Sequence, residues 1–322
     1  MKKILTGVKP TGDQMHLGNL LGAVLPFKGI AEKNDAAIFI ADLHALTSVK
    51  SAENLRRNTH EMALTYFSIF GIDTPVHIFR QSDIPLIPKL NWILNNVTPY
   101  SLMLRAHSFK DSEAKGLDLN MGVFNYPILM AADILAYDTD IVPVGADQRQ
   151  HLEMTRDIAK AFNKTYKADI FKLPVEYIEP SVATLPGIDG RKMSKSYGNF
   201  IGLFDDDKTL KKKVMSIVTD SKGVDDVKNP DECNVFALIQ TFATSDRTES
   251  IRAKYLSPGY GYGHAKLELL DILTEYLKPY HENRAMLERN PELIEARLQE
   301  GARIMNARIE AKMEEVKKVV GL

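Results

Sequence analysis

The chain has 322 residues, beyond the usual single-domain size, and its 44% hydrophobic and 26% charged residues are the make-up of an ordinary globular protein. No apolar run approaches a membrane span. The lone Cys233 excludes an intramolecular disulfide and any cysteine-built metal centre, and 41 basic against 42 acidic residues announce no nucleic-acid partner while leaving a local basic face open.

The opening MKKIL mimics the basic end of a signal peptide, but Thr6, Gly7, Lys9 and Pro10 arrive before an apolar segment can form, so a cytoplasmic, non-membrane protein is expected. From there short β-rich runs alternate with helical patterns. KILTG leads to a helix near Asn19 to Gly29, AAIFIA to a helix from Glu53, and VHIFRQ follows as the next β-rich run. A helix through NYPILMAADILAY, a strand DIVPVG and a helix across DQRQHLEMTRDIAKAF continue the rhythm. That order predicts an α/β architecture, a doubly wound parallel sheet whose ligands bind beyond the carboxyl ends of the strands.

After about Phe204 the strand signal fades and helical periodicity takes over. We therefore expect an α/β domain over residues 1–205 and a smaller all-helical domain over 206–322. The last segment places Leu298, Ala302, Met305, Ile309, Met313, Val316 and Val320 on one apolar stripe. Such a stripe reads as ordinary packing, either within the helical domain or back on the first one.

Two short stretches carry the chemistry. In LTGVKPTGDQMHLGN a strand ends in a Gly/Pro loop and then a helix start, so that glycine, imidazole and amide groups could face a phosphate. In GRKMSKSYGN, Lys192 and Lys195 lie between two glycines, beyond any regular pattern. Together, His16-Leu17-Gly18-Asn19 and Lys192-Met193-Ser194-Lys195-Ser196 resemble the paired signatures of class I aminoacyl-tRNA synthetases. DLHALT, NYPILMAADIL and VPVGADQRQHLEMTRDIA, lying between them, resemble the bacterial tryptophanyl-tRNA synthetases.

The resemblance implies a Rossmann-like catalytic domain that joins tryptophan to ATP, with Mg²⁺, and passes it to tRNA(Trp), in a homodimer whose helical domain reads the anticodon. His16, Asn19, Lys192 and Lys195 would be catalytic. Lys9, Thr11, Gly18, Asn19, Lys110, Gly145, Asp147, Met193, Ser194 and Lys195 would bind ATP. Tryptophan would meet Leu5, Thr6, Gly7, His44, Tyr126, Met130, Asp133, Val142, Val144 and Gln148. The residues agree with this. Tyr126, Met130 and Asp133 fall at i, i+4 and i+7 on one helix face, where a carboxylate among apolar neighbours needs a donor such as an indole N–H. Asp147 can accept from ribose hydroxyls or cap its helix. The two lysines would ride on a glycine-hinged loop that closes on ATP.

The chain departs from the family pattern in three places. Leu5 stands where an aromatic residue is common and His16 where threonine is. Phe109-Lys110-Asp111-Ser112 lacks the second lysine of that stretch, while Lys9 replaces a usual glutamine, so Lys9 is expected to restore part of the lost phosphate contact. Competing readings are a tyrosyl-tRNA synthetase, a non-catalytic RNA-binding paralogue and a small nucleotidyltransferase. Tyr260, Tyr262, His264 and Arg252 are candidate RNA contacts or plain surface residues.

Overall fold

The structure, a computed structural model, describes residues 1–12, 14–106, 120–145, 148–177 and 185–322. Backbone packing groups the chain into two compact units, one formed by residues 1–13, 27–179 and 286–322, the other by 14–26 and 180–285.

The first unit is built on five parallel strands, β1 (Lys3–Val8), β2 (Asp35–Ile40), β3 (His77–Arg80), β4 (Ile141–Pro143) and β5 (Val175–Tyr177), in the order β3-β2-β1-β4-β5. The chain winds outward from β1 in both directions, which makes the sheet doubly wound, as expected. Both faces are apolar because parallel strands are covered on both sides. Leu5, Ala37, Phe39 and Phe79 share one core with the helices Leu86–Asn95, Met121–Leu135, Arg149–Tyr166 and Pro291–Val320. Ile4, Ile38, Ile40 and Ile78 alternate with them and are equally buried. The Ala52–Phe70 helix packs on β2 and buries Ala63, Leu64, Phe67 and Phe70.

Local chemistry sets the element ends. Ser51 caps the Ala52–Phe70 helix by accepting from the Asn54 N–H, and Gly71 ends it at φ +83°. Asn120 caps the Met121–Leu135 helix through the Val123 N–H. The first helix is less regular than its pattern predicts. It runs Leu17–Asn19, continues through a π-helical turn over Leu20–Val24, and ends as Leu25–Ala31. Such turns are a recognised local distortion near functional sites.

The final apolar stripe is buried at Leu298, Ala302, Met305, Ile309, Met313 and Val316, and it joins the sheet core of the first unit. Gly301 lies against the backbone of β3, where a Cβ would come within 2.3 Å of the Ile78 carbonyl oxygen. Arg80 reinforces this packing with a paired hydrogen bond to Glu295 at 2.6 and 2.8 Å.

The second unit contains the helices Asp207–Met215, Asn234–Phe242 and Ser245–Tyr255 and most of Tyr262–Arg289, around Leu203, Leu210, Phe236, Ile239, Tyr255 and Leu273. Lys228 is fully buried there, donating to the carbonyls of Gly223 and Asp226 with its ammonium 5.5 Å over the Tyr262 ring. Of the aromatic and basic residues considered for RNA, Tyr260 is buried and donates to Glu268, while Arg252 pairs with Asp231. Both are part of the unit's own packing. Among the described residues no helix is long and apolar enough to cross a membrane.

Candidate active site

Both signature stretches lie in the second unit, and a short antiparallel bridge joins them. Leu17 N–H donates to the Ile201 carbonyl at 3.0 Å and Leu203 N–H to that of Met15 at 2.8 Å, which pairs His16 with Gly202. The His16 ring sits 5.7 Å from that of Phe200. His16 and Asn19 form a reciprocal cap. The Asn19 N–H donates to His16 Nδ1 at 3.2 Å, and the His16 N–H to Asn19 Oδ1 at 3.4 Å. A neutral imidazole that accepts at Nδ1 carries its proton on Nε2, so it presents a donor. Burial and the charge of Lys195 hold His16 neutral by lowering its pKa to about 4. Gly18 lies against this imidazole, with room for a Cβ only 3.0 Å from the ring.

The second stretch is tied at its base. Asn199, 2% exposed, accepts from the Ser194 N–H at 2.8 Å and donates to the Lys192 carbonyl at 3.1 Å and to Asp189 at 2.6 Å. Gly187 must be glycine because a Cβ there would lie 2.4 Å from the Asn199 side chain. Gly190 and Gly198 take φ of +81° and +63°. Met193 is buried, Lys192 is exposed, and Ser194 caps the single turn Lys195–Tyr197. The lysines are thus presented by a loop braced through Asn199.

In the first unit the segments after β1, β2, β3 and β4 lie at the carboxyl ends of the strands, where ligands of such sheets bind. Asp133, 2% exposed, accepts from His44 Nε2 at 3.0 Å and from Gln81 Nε2 at 2.9 and 2.8 Å. Burial pushes its carboxyl up, these two partners oppose the shift, and the nearby Asp42 adds to it. Asp42 is also raised by burial, against hydrogen bonds from Ser82 and Leu43. A second chain of bonds runs from Tyr126 OH to His151 Nε2 at 2.9 Å and from His151 Nδ1 to Gln148 Oε1 at 3.0 Å. The His44 and Tyr126 rings meet edge to face at 6.1 Å. His44, Tyr126, Asp133 and Gln148 therefore belong to two polar networks joined by this ring contact, on the helix face that also carries Met130.

The sequence alone does not single out Gln81 or His151. Gln81 directly follows β3 and His151 sits in the first turn of the Arg149–Tyr166 helix, but neither position signals that it binds a residue 52 or 25 places away. Leu5 and Val142 are buried, and Thr6 and Val144 are partly so. Gly7 is required by packing as well as by any ligand, since a Cβ would fall 2.4 Å from the Phe39 ring. Gly145 accepts from the Gln148 N–H. Lys9 donates to Thr47 Oγ1 at 3.0 Å, and Thr11 N–H to the Lys9 carbonyl. Lys110 and Asp147, with the Phe109–Ser112 stretch, lie outside the described residues. A cavity of about 230 Å³ lined by Phe67, His77, Arg297 and Gly301 adjoins the amino end of β3 and contains none of these residues.

The family model described as tRNA synthetases class I (W and Y) matches residues 1–278. The chain belongs to this family. This synthetase is 45% identical to a tryptophan-tRNA ligase of Fusobacterium nucleatum, across 100% of this chain and 98% of that protein. It is 41% identical to one from Campylobacter jejuni, across 99% and 100%. A crystal structure of the tryptophanyl-tRNA synthetase from Campylobacter jejuni, complexed with ADP and tryptophan, superposes with a TM-score of 0.94 at 39% identity, covering 99% of this chain and 100% of that one.

Proposed function

We infer that the chain is a tryptophan-tRNA ligase, an ATP-dependent enzyme that forms tryptophanyl adenylate and then charges tRNA(Trp). The observation that carries this is the similarity over full length to tryptophan-tRNA ligases, with the acid of the MAADIL motif, Asp133, buried and braced. In the first step the tryptophan carboxylate attacks the α-phosphorus of ATP, a P–O bond forms, and pyrophosphate leaves with the electrons of the bond that breaks. The nucleophile is already an anion. Catalysis therefore needs positioning and stabilisation of charge on the leaving group, not a base.

We assign His16, Asn19, Lys192 and Lys195 to that charge. The imidazole and the amide donate without adding charge, and the two ammonium groups neutralise the departing phosphates. Lys9, Thr11, Gly18, Lys110, Gly145, Asp147, Met193 and Ser194 complete the ATP contacts. Asp133 accepts the indole N–H, with Leu5, Thr6, Gly7, His44, Met130, Val142 and Val144 around the ring, and Tyr126 and Gln148 meet the amino-acid end. Mg²⁺ would enter bound to the triphosphate oxygens. Among the described residues there is no group of three or more His, Cys, Asp or Glu arranged to hold it. In the second step the terminal adenosine hydroxyl of the tRNA attacks the adenylate carbonyl, releasing AMP.

Residues 206–322 are proposed to contain the anticodon-reading helices, and the cytoplasm follows from the use of ATP and tRNA. The proposed homodimer rests on the likeness to the family, and the first unit offers exposed apolar side chains to such an interface. Trp92 is 71%, Tyr100 68% and Met121 66% exposed. Exchange of labelled pyrophosphate into ATP, with tryptophan and tyrosine tested separately, checks the reaction. Exchange with tryptophan alone is expected, and exchange with tyrosine alone would overturn the substrate assignment.

A further inference from the structure

We propose that Gln81 is a specificity-determining positioning residue, which fixes the plane and polarity of the Asp133 carboxylate so that it meets an indole N–H; this rests on the tryptophan reading above. Gln81 opens a one-turn helix, Gln81–Asp83, directly after β3, and it is 1% exposed. Its Oε1 accepts from the His44 N–H at 3.3 Å, and its Nε2 lies 2.9 and 2.8 Å from the two oxygens of Asp133. These contacts define the amide orientation. Reversed, it would set a carbonyl oxygen against a carboxylate and an NH₂ against an N–H.

The turn that carries Gln81 is itself held. Ser82 donates through N–H and Oγ to Asp42, and Asp83 accepts from Arg80 Nε at 2.7 Å. The amide is thus a fixed, buried donor. It and His44 Nε2 give Asp133 Oδ2 two donors and Oδ1 one among the described residues. A carboxylate oxygen accepts about two hydrogen bonds, so Oδ1 keeps the acceptor capacity that a substrate N–H requires.

Among the described residues Gln81 makes the hydrogen bonds that link the carboxylate to the turn after β3. Without them the buried acid would lose a donor to its charged form, and its neutral form, which can offer an O–H where the substrate needs an acceptor, would gain. Recognition of the N–H would suffer first. Contacts to the carbon skeleton of the ring come from other side chains and would be preserved.

The test compares tryptophan with an isostere whose ring N–H is replaced by sulfur, using pyrophosphate exchange by the full-length protein. Wild type should prefer tryptophan. Gln81→Met, close in length and without a donor, should lower kcat/KM for tryptophan about 10- to 100-fold while leaving the isostere within about threefold, so that the ratio collapses. Equal losses for both substrates would show that Gln81 only supports the fold, and would overturn the proposal. Gln81→Asn, which keeps an amide one methylene short, answers the same question if the methionine variant does not fold. It should reduce the ratio less, and equal losses would again be decisive. Wild type without any tryptophan-dependent exchange would instead overturn the ligase reading itself, a separate result.

Discussion

Asn199 holds Ser194 and Lys192 at once, accepting from the main chain of one and donating to that of the other. Asn199→Ala leaves these buried groups without partners, at a cost of about 1–3 kcal/mol. The exchange rate should fall about 10- to 100-fold, because the lysines lose their fixed position. Tryptophan binding, followed by fluorescence, should remain as in wild type. An unchanged rate would mean that the brace is irrelevant to the chemistry.

His16 should titrate near pH 4 in the folded protein, which a histidine NMR titration reads directly. An unfolded histidine titrates near 6.5. Between the two values the unfolded chain binds more protons, so this residue's contribution to stability rises with pH across that window and is lost as the pH falls through it. Lys195→Ala removes one cause of the depression and should move the His16 titration upward. A value close to that of free histidine would contradict the packing described here.

Gly301→Ala forces a methyl group onto the Ile78 carbonyl oxygen. The expected loss is about 1–3 kcal/mol, measured as a lower unfolding midpoint. Activity per folded molecule should not change. Substitution at exposed Glu300, one residue away, should have little effect on the midpoint.

Lys9 is bonded to Thr47, whose hydroxyl donates in turn to the His44 carbonyl. If Lys9 contributes positive charge to the triphosphate, Lys9→Gln should raise the KM for ATP about three- to tenfold with little effect on that for tryptophan. An unchanged KM would reduce Lys9 to a surface brace for the loop after β2.

The sheet was legible because its strands and helices differ in hydrophobic period, and because glycine, serine and asparagine mark their ends. His16, Asn19, Lys192 and Lys195 stood out through paired motifs, and Asp133 as a carboxylate in an apolar helix. Other features depend on contacts between distant positions. Gln81 resembles any polar residue after a strand until Asp133 is brought to it, and Lys228 any solvated lysine until the carbonyls of Gly223, Val224 and Asp226 surround it. An apolar stripe such as that of Leu298 to Val316 says that one face is covered without saying by what. Asn199 likewise gave no sign that it would brace the glycine-flanked loop.

The seating of the Pro291–Val320 helix on β3 also bears on synthesis. β3 emerges from the ribosome more than 200 residues before the helix that covers it. Until that helix arrives, Phe79 and its neighbours on the outer strand lack part of their final core, and closing so long a loop makes the last docking step slow. The nascent enzyme should therefore depend on chaperones, or on delayed collapse, until translation is almost complete.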